Sequence, residues 1–188
     1  MRLEKDNGSW LQPRAILIVG IVVTAAALRI IPHPGNFAPI GAMALFSGAY
    51  FSSKRAAVFV SLLALLAGDV FTGFHSLMFW VYGSFLVSVA IGFWLRRKKS
   101  AVRIGAATVA GAIQFFLVTN FAMWFSGIGT YSKTLAGLAD CYARGLPLLG
   151  NTLAGDALYA ALLFGGMALA EKRFPSLLDP LAAMAGQN

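Results

Sequence analysis

The sequence predicts an all-α, polytopic membrane protein of six transmembrane helices, and three observations carry that prediction. The chain of 188 residues is 59% hydrophobic and only 12% charged. A soluble domain averages about 45–50% apolar and about 25% charged residues, so half the usual charge is left to wet a globule. The mean hydropathy is +0.74. The apolar residues also fall into six runs separated by short polar or helix-stopping segments. A soluble enzyme, a disordered chain and a fibrous repeat are excluded on composition, and the length suits one domain over residues 1–188. The single cysteine, Cys141, rules out an internal disulfide framework and a cysteine-based zinc cluster. No cofactor is called for.

A helix needs about 20 mostly apolar residues to cross about 30 Å of hydrocarbon. Backbone amides cannot go unpaired in lipid, so the runs are helices. They cover residues 14–31, 37–52, 56–71, 77–95, 101–125 and 148–170. Pro32 and Pro34 end the first, Ser53-Lys54-Arg55 the second, Gly73 to Ser76 the third, Arg96 to Ser100 the fourth, and Gly127 to Pro147 the fifth. The second run is short enough to be re-entrant, and charge decides against that. With six crossings and a cytoplasmic N-terminus, the inner side holds Arg2, Lys5, Arg14, Lys54, Arg55, the Arg96–Arg103 cluster, Lys172 and Arg173. The outer side then holds only Arg29, Lys133 and Arg144. Without the second crossing the Arg96–Arg103 cluster would lie outside, against the positive-inside rule. Both termini are therefore expected in the cytoplasm. The net charge of +8 is read as topology and contact with anionic membrane lipid, not as affinity for nucleic acid. Glu4 and Asp6 dilute the charge of a would-be signal peptide, so the first run is expected to stay as an anchor in a bacterial inner (plasma) membrane.

Between the fifth and sixth spans, Leu135, Leu138, Ala139 and Tyr142 repeat at helical spacing. Ser132 is placed to cap this segment, and Gly145 with Pro147 to end it. The pattern predicts a short surface helix over residues 132–144, lying on the outer face.

On this topology the polar and aromatic residues gather at the outer side. His33, Asn36, His75, Trp80, Asn120, Trp124, Asn151 and Asp156 fall in outer loops or the outer halves of helices. Asp69 is 14 residues past Arg55, about 21 Å along the helix, and joins them. Ionisable groups inside a bilayer are costly and face a cavity or a partner. The one-sided set points to an outward pocket walled by His33, Asn36 and Phe37 from the first loop. The helices would add Asp69, Trp80, Asn120, Trp124, Asn151 and Asp156. The competing reading has both aspartates as structural glue, pairing with Arg29 or capping helix ends, and the aromatics as an interfacial belt. The segment Pro32-His33-Pro34-Gly35-Asn36-Phe37-Ala38-Pro39 is stiffened by three prolines and suits a lid or one wall. The triplet Ala-Gly-Asp occurs at 67–69 and at 154–156, where the glycine lets a neighbour approach beside the carboxylate. Two close carboxylates sharing a proton would also suit an intramembrane hydrolase, but the longer motif of such proteases is missing. Histidines on separate loops lack metal-ligand spacing, so no metal site is assigned. No Walker motif, dinucleotide turn, serine triad or nucleic-acid platform is present. On the first run Gly20 and Thr24, with Ala25 alongside, form a small-residue face suited to helix contact.

The stretch HPGNFAPIGAMALFSGAYF (33–51), the AGD of 67–69, Phe79-Trp80 with Tyr82-Gly83, TNFAMW (119–124), GLADCYARGLP (137–147) and NTLAGD (151–156) resemble a family of small bacterial membrane proteins. That family is similar to the substrate-binding S components of energy-coupling factor (ECF) vitamin transporters. The resemblance implies a non-catalytic subunit that captures a small, flat, vitamin-like molecule from outside. It also implies a separate transmembrane coupling protein with two ATPases, met through small residues of the first helix, here Gly20, Thr24 and Ala25. Arg2 stands where the nickel and cobalt branch has a histidine, which disfavours metal uptake. The rival expectation is an accessory subunit of a larger membrane complex.

Overall fold

The structure, a computed structural model, describes residues 12–178. Arg2, Glu4, Lys5 and Asp6 lie outside the described residues. The described chain is helical throughout: α1 (Pro13–Leu28), α2 (Ile40–Tyr50), α3 (Lys54–Thr72), α4 (Met78–Leu95), α5 (Ala101–Ser126) and α6 (Leu135–Arg173), closed by a 3₁₀ turn at Pro175–Leu177. Local chemistry sets most of the boundaries. Pro13 begins α1, where its missing N–H is no loss. Ser53 and Ser100 cap α3 and α5 by accepting from the amides of Ala56 and Arg103. Gly73 and Gly127 end the same two helices at φ 94° and 67°, positive values that glycine takes without strain, and Gly127 forms a left-handed cap.

Four of the helices, α3 to α6, are long and apolar enough to cross a membrane. Their outer faces are hydrophobic, with Phe59, Val70, Phe71, Phe79, Val102 and Leu169 each more than 60% exposed. Water would not tolerate an apolar surface of that extent on a monomer, and lipid favours it. The protein is therefore a membrane protein.

The contacts give the directions of the helices. Gly48 of α2 lies against Val89 and Gly92 of α4, while Phe46 and Tyr50 pack on Phe164 of α6. Arg29 at the end of α1 meets Asp69 near the end of α3, and Asp69 meets Tyr82 at the start of α4. Trp80 of α4 packs on Phe121 and Phe125 at the end of α5. Successive helices thus alternate in direction. Arg14, Lys54, Arg55, Arg96 to Lys99, Arg103, Lys172 and Arg173 collect at one end of the bundle. Arg29, Lys133 and Arg144 stand at the other, which is called the loop end below.

The second helix is the centre of the molecule. It spans 11 residues, about 16 Å, and packs against all five other helices. Every residue from Ala42 to Tyr50 is buried. A helix that is apolar all round belongs in a core, and this explains why its hydrophobic run is short: no lipid touches it. Its N-terminus follows Pro39 and has no local side-chain cap. Asp156 of α6 supplies one, its Oδ1 accepting from the Ala42 amide at 3.1 Å. At the other end Arg96 donates to the carbonyls of Gly48 (2.8 Å) and Ser52 (3.2 Å). An acid at the positive end and a base at the negative end match the helix dipole.

One expectation is overturned. No separate surface helix covers residues 132–144. Residues Leu135–Arg173 form one helix of 39 residues with Pro147 inside it. The cap is Thr134, whose Oγ1 accepts from the Gly137 amide, and not Ser132. Pro147 removes one backbone bond from the helix, but α5 holds the flanking turns. Tyr142 donates to the Leu117 carbonyl at 2.8 Å, Cys141 to the Asn120 carbonyl at 3.4 Å, and Phe116 packs on the Tyr142 ring. Tertiary packing overrides the local breaker: the buried face of this segment is Gly137, Cys141 and Gly145 with Tyr142 beside it, whereas Leu135 and Ala139 of the predicted stripe are exposed.

A candidate solute site at the loop end

Two helix ends and a stiff loop enclose a cavity of about 180 Å³. Its wall is Arg29 from the end of α1, and His33, Asn36 and Ala38 from the first loop. Ile40 and Gly41 line it from the start of α2, and Phe85, Ser88, Gly111, Phe115, Thr152 and Asp156 from α4, α5 and α6.

Each wall is positioned by chemistry visible nearby. The first loop is tied to α6, because Asn151 Nδ2 donates to the Gly35 carbonyl at 2.9 Å. Phe37 packs edge-on against Tyr159 at 6.2 Å. Gly155 lets the loop backbone lie on α6, since a Cβ there would sit 3.2 Å from the Phe37 Cα. Asn36 turns the loop with φ 61°, a conformation asparagine tolerates better than most residues. Gln114 Nε2 bridges the Ser84 carbonyl and Ser88 Oγ at 2.9 and 3.0 Å. Ser88 Oγ accepts that bond and keeps its own hydrogen to donate. The base of the cavity is Asp156, 3% exposed. Its carboxylate lies over Gly41, with Cγ 2.7 Å from where a Cβ would stand. Any side chain at position 41 would displace it.

Arg29 enters the wall already paired. Its Nη1 lies 2.6 Å from Asp69 Oδ1, and Tyr82 donates to Asp69 Oδ2 at 2.7 Å. Gly68 makes room for this arrangement, because a Cβ there would stand 3.1 Å from the Arg29 guanidinium. The two Ala-Gly-Asp triplets share a packing device and differ in what the aspartate binds. In each, glycine admits a close neighbour and aspartate binds one, although the neighbours are an arginine side chain and a loop instead of helices.

The residues read from sequence as one pocket divide among several places. His33, Asn36 and Asp156 line the cavity. Asp69 is one residue removed from it, behind Arg29. Phe37 and Asn151 hold the loop in place from outside the wall. Trp80 belongs to an aromatic cluster with Phe79, Phe121 and Phe125 between α4 and α5. Asn120 donates to the Phe116 carbonyl at 2.8 Å, and Gly145 makes room for its amide at the α5–α6 contact. Trp124 Nε1 donates to the Ser132 carbonyl at 2.8 Å and braces the last loop. Trp80, Asn120 and Trp124 are not among the residues that line the cavity with Asp156. On the small-residue face of α1, Gly20 and Thr24 are exposed, whereas Ala25 is 1% exposed and points into the core. Ala25 cannot contribute to a partner surface, because it lies on the opposite side of the helix.

Sequence reasoning missed Ile40, Gly41, Phe85, Ser88, Gly111, Phe115 and Thr152. It looked for polar groups near the rim. The cavity exists deeper, where Gly41 and Gly111 leave space. Among the described residues, no group of three histidine, cysteine, aspartate or glutamate side chains is placed to hold a metal ion.

A family described as a family of unknown function (DUF6580) matches residues 9–177. Neither the curated proteins nor the solved structures contain a match to this sequence. The matched segment spans nearly the whole chain, from before α1 to the closing 3₁₀ turn, and the protein is a member of the DUF6580 family.

Proposed function

We propose that this protein is a solute-binding subunit of a bacterial inner membrane, similar in role to the S components of ECF transporters. It captures a small molecule from the outer side and needs no chemistry of its own. All six helices cross, α2 within a sheath of its neighbours, and the basic end faces the cytoplasm by the positive-inside rule. The loop end then faces outward.

The observation that supports this reading is the loop-end cavity. It is concave, mostly apolar, and carries a few convergent polar groups, the usual character of a ligand site. Its volume of about 180 Å³ is below the 300 Å³ or so of common ligand pockets. The solute is therefore small, and a vitamin-sized molecule would need the first loop to lift. The hydrolase reading loses its basis: Asp69 and Asp156 are engaged by different partners, and two carboxylates must meet to share a proton.

Uptake would require a partner. An apolar groove of about 440 Å³ runs between α1 and α3, and with the exposed Gly20 and Thr24 it favours a helix of a coupling protein with ATPases. The same groove would serve an accessory subunit of a larger complex, which is the second reading.

Mass spectrometry of small molecules released from gently purified protein tests the proposal. Gly111 lines the cavity, and a Cβ there meets Ser88 Oγ at 3.7 Å and Leu45 Cδ1 at 3.9 Å, ordinary contact distances. The Cβ of Gly111→Leu is thus accommodated, and the rest of the side chain is meant to fill the cavity. Wild type should release a solute near one equivalent, and Gly111→Leu should fold but release little. Equal recovery from both, or none from either, would refute the cavity as the site.

A further inference from the structure

We propose that the solute is a small organic cation, a protonated amine on a flat apolar body. The inference rests on the loop-end cavity being a ligand site and adds the charge of what it takes.

The argument is a balance of charges. Three ionisable side chains line the cavity: Arg29, His33 and Asp156. The Arg29 charge is already matched, with Asp69 at 2.6 Å. Asp156 is buried to 3% exposure, and no lysine, arginine or histidine among the described residues forms an ion pair with it. Its support is the start of α2, through the Ala42 amide with the Gly41 amide beside it. A helix N-terminus is equivalent to about half a positive charge, which leaves the carboxylate incompletely balanced. A buried carboxylate without a charged partner either holds a proton or pairs with a cation, and the side of Asp156 open to an incoming cation is the cavity. A protonated amine at Asp156 completes the balance with a charge-assisted hydrogen bond. Phe85 and Phe115 line the same cavity, and aromatic rings attract cations. An anion at that position would meet Asp156 as a like charge. A cavity of about 180 Å³, small beside common ligand pockets, suits a single ring bearing one short amine arm.

Three probes of one shape and different charge test this: benzylammonium, benzyl alcohol and benzoate, titrated calorimetrically into the purified full chain at one pH. Benzylammonium should bind about tenfold tighter than benzyl alcohol, and benzoate should bind weakest. Asp156→Asn keeps an oxygen for the Ala42 amide and removes the charge, so it should bring the amine down to the alcohol. Phe115→Leu, away from the α2 cap, should weaken the amine more than the alcohol even if Asp156→Asn fails to fold. Benzoate binding tightest, or equal affinity for all three, would overturn the charge inference and leave the cavity as a site. A released solute that is neutral or anionic would do the same. If no probe binds and no solute is released, the site itself fails.

Discussion

Asp69 and Asp156 sit in identical triplets and do different work. Asp69 neutralises Arg29 and accepts from Tyr82; Asp156 caps α2 and forms the base of the cavity. Breaking a buried pair leaves a charge without compensation and costs about 3–5 kcal/mol. Asp69→Asn should therefore lower stability by that order in a denaturant or thermal melt of the purified protein. The double change Arg29→Met with Asp69→Leu should recover most of the loss, because an apolar pair needs no desolvation. Tyr82→Phe removes one bond to a charged group and should cost about 1.5–3 kcal/mol. At this scale the sequence was half legible. It identified Arg29 and Asp69 as unusual and offered their pairing as one of two readings. Only the helix directions, which bring the ends of α1 and α3 together, decide between them. Trp80, Asn120 and Trp124 lie away from the cavity that Asp156 lines, because nearness to one end of the bundle is not nearness to one another.

The elements were legible in kind and less so in their ends. Turn residues and charges marked α3, α4 and α5 to within a few residues, since Ser53, Gly73, Ser100 and Gly127 act locally. The central place of α2 and the continuity of α6 depend on neighbours, which a single chain does not reveal. Two predictions belong here. A Cβ on Gly48 would overlap the Val89 carbonyl and stand 2.9 Å from the Gly92 Cα. Neither backbone can yield without parting α2 from α4. Gly48→Ala should therefore destabilise by about 1–3 kcal/mol or more. Gly105→Ala, with nothing within 4 Å of its Cβ, should be neutral or stabilise by up to about 1 kcal/mol through helix propensity. Equal melting temperatures for the two variants would contradict the close crossing. The continuity of α6 is measurable by pulsed electron resonance between spin labels at Leu138→Cys and Leu158→Cys in a Cys141→Ser background. One helix predicts about 30 Å between the backbone sites. A surface segment turning at Pro147 would give a separation roughly a quarter shorter.

The whole molecule follows from two distributions that composition alone announced. Apolar residues cover the outside as well as the core, and basic residues collect at one end. Together these distinguish the two ends of the bundle, and on the proposed topology the end opposite the basic cluster, with its proline-stiffened loop and recessed carboxylate, is the face that meets the outside. The account stands on that cavity opening outward and taking a solute. His33 is exposed and lines the cavity; Lys98 is exposed at the basic end. In a Cys141→Ser background, His33→Cys and Lys98→Cys are labelled on intact cells with a membrane-impermeant maleimide, with and without saturating benzylammonium. The account predicts rapid labelling of His33→Cys that the amine slows, and labelling of Lys98→Cys only after the membrane is permeabilised. Labelling of Lys98→Cys on intact cells with His33→Cys protected, or a His33→Cys rate indifferent to every solute that the protein binds, would contradict it.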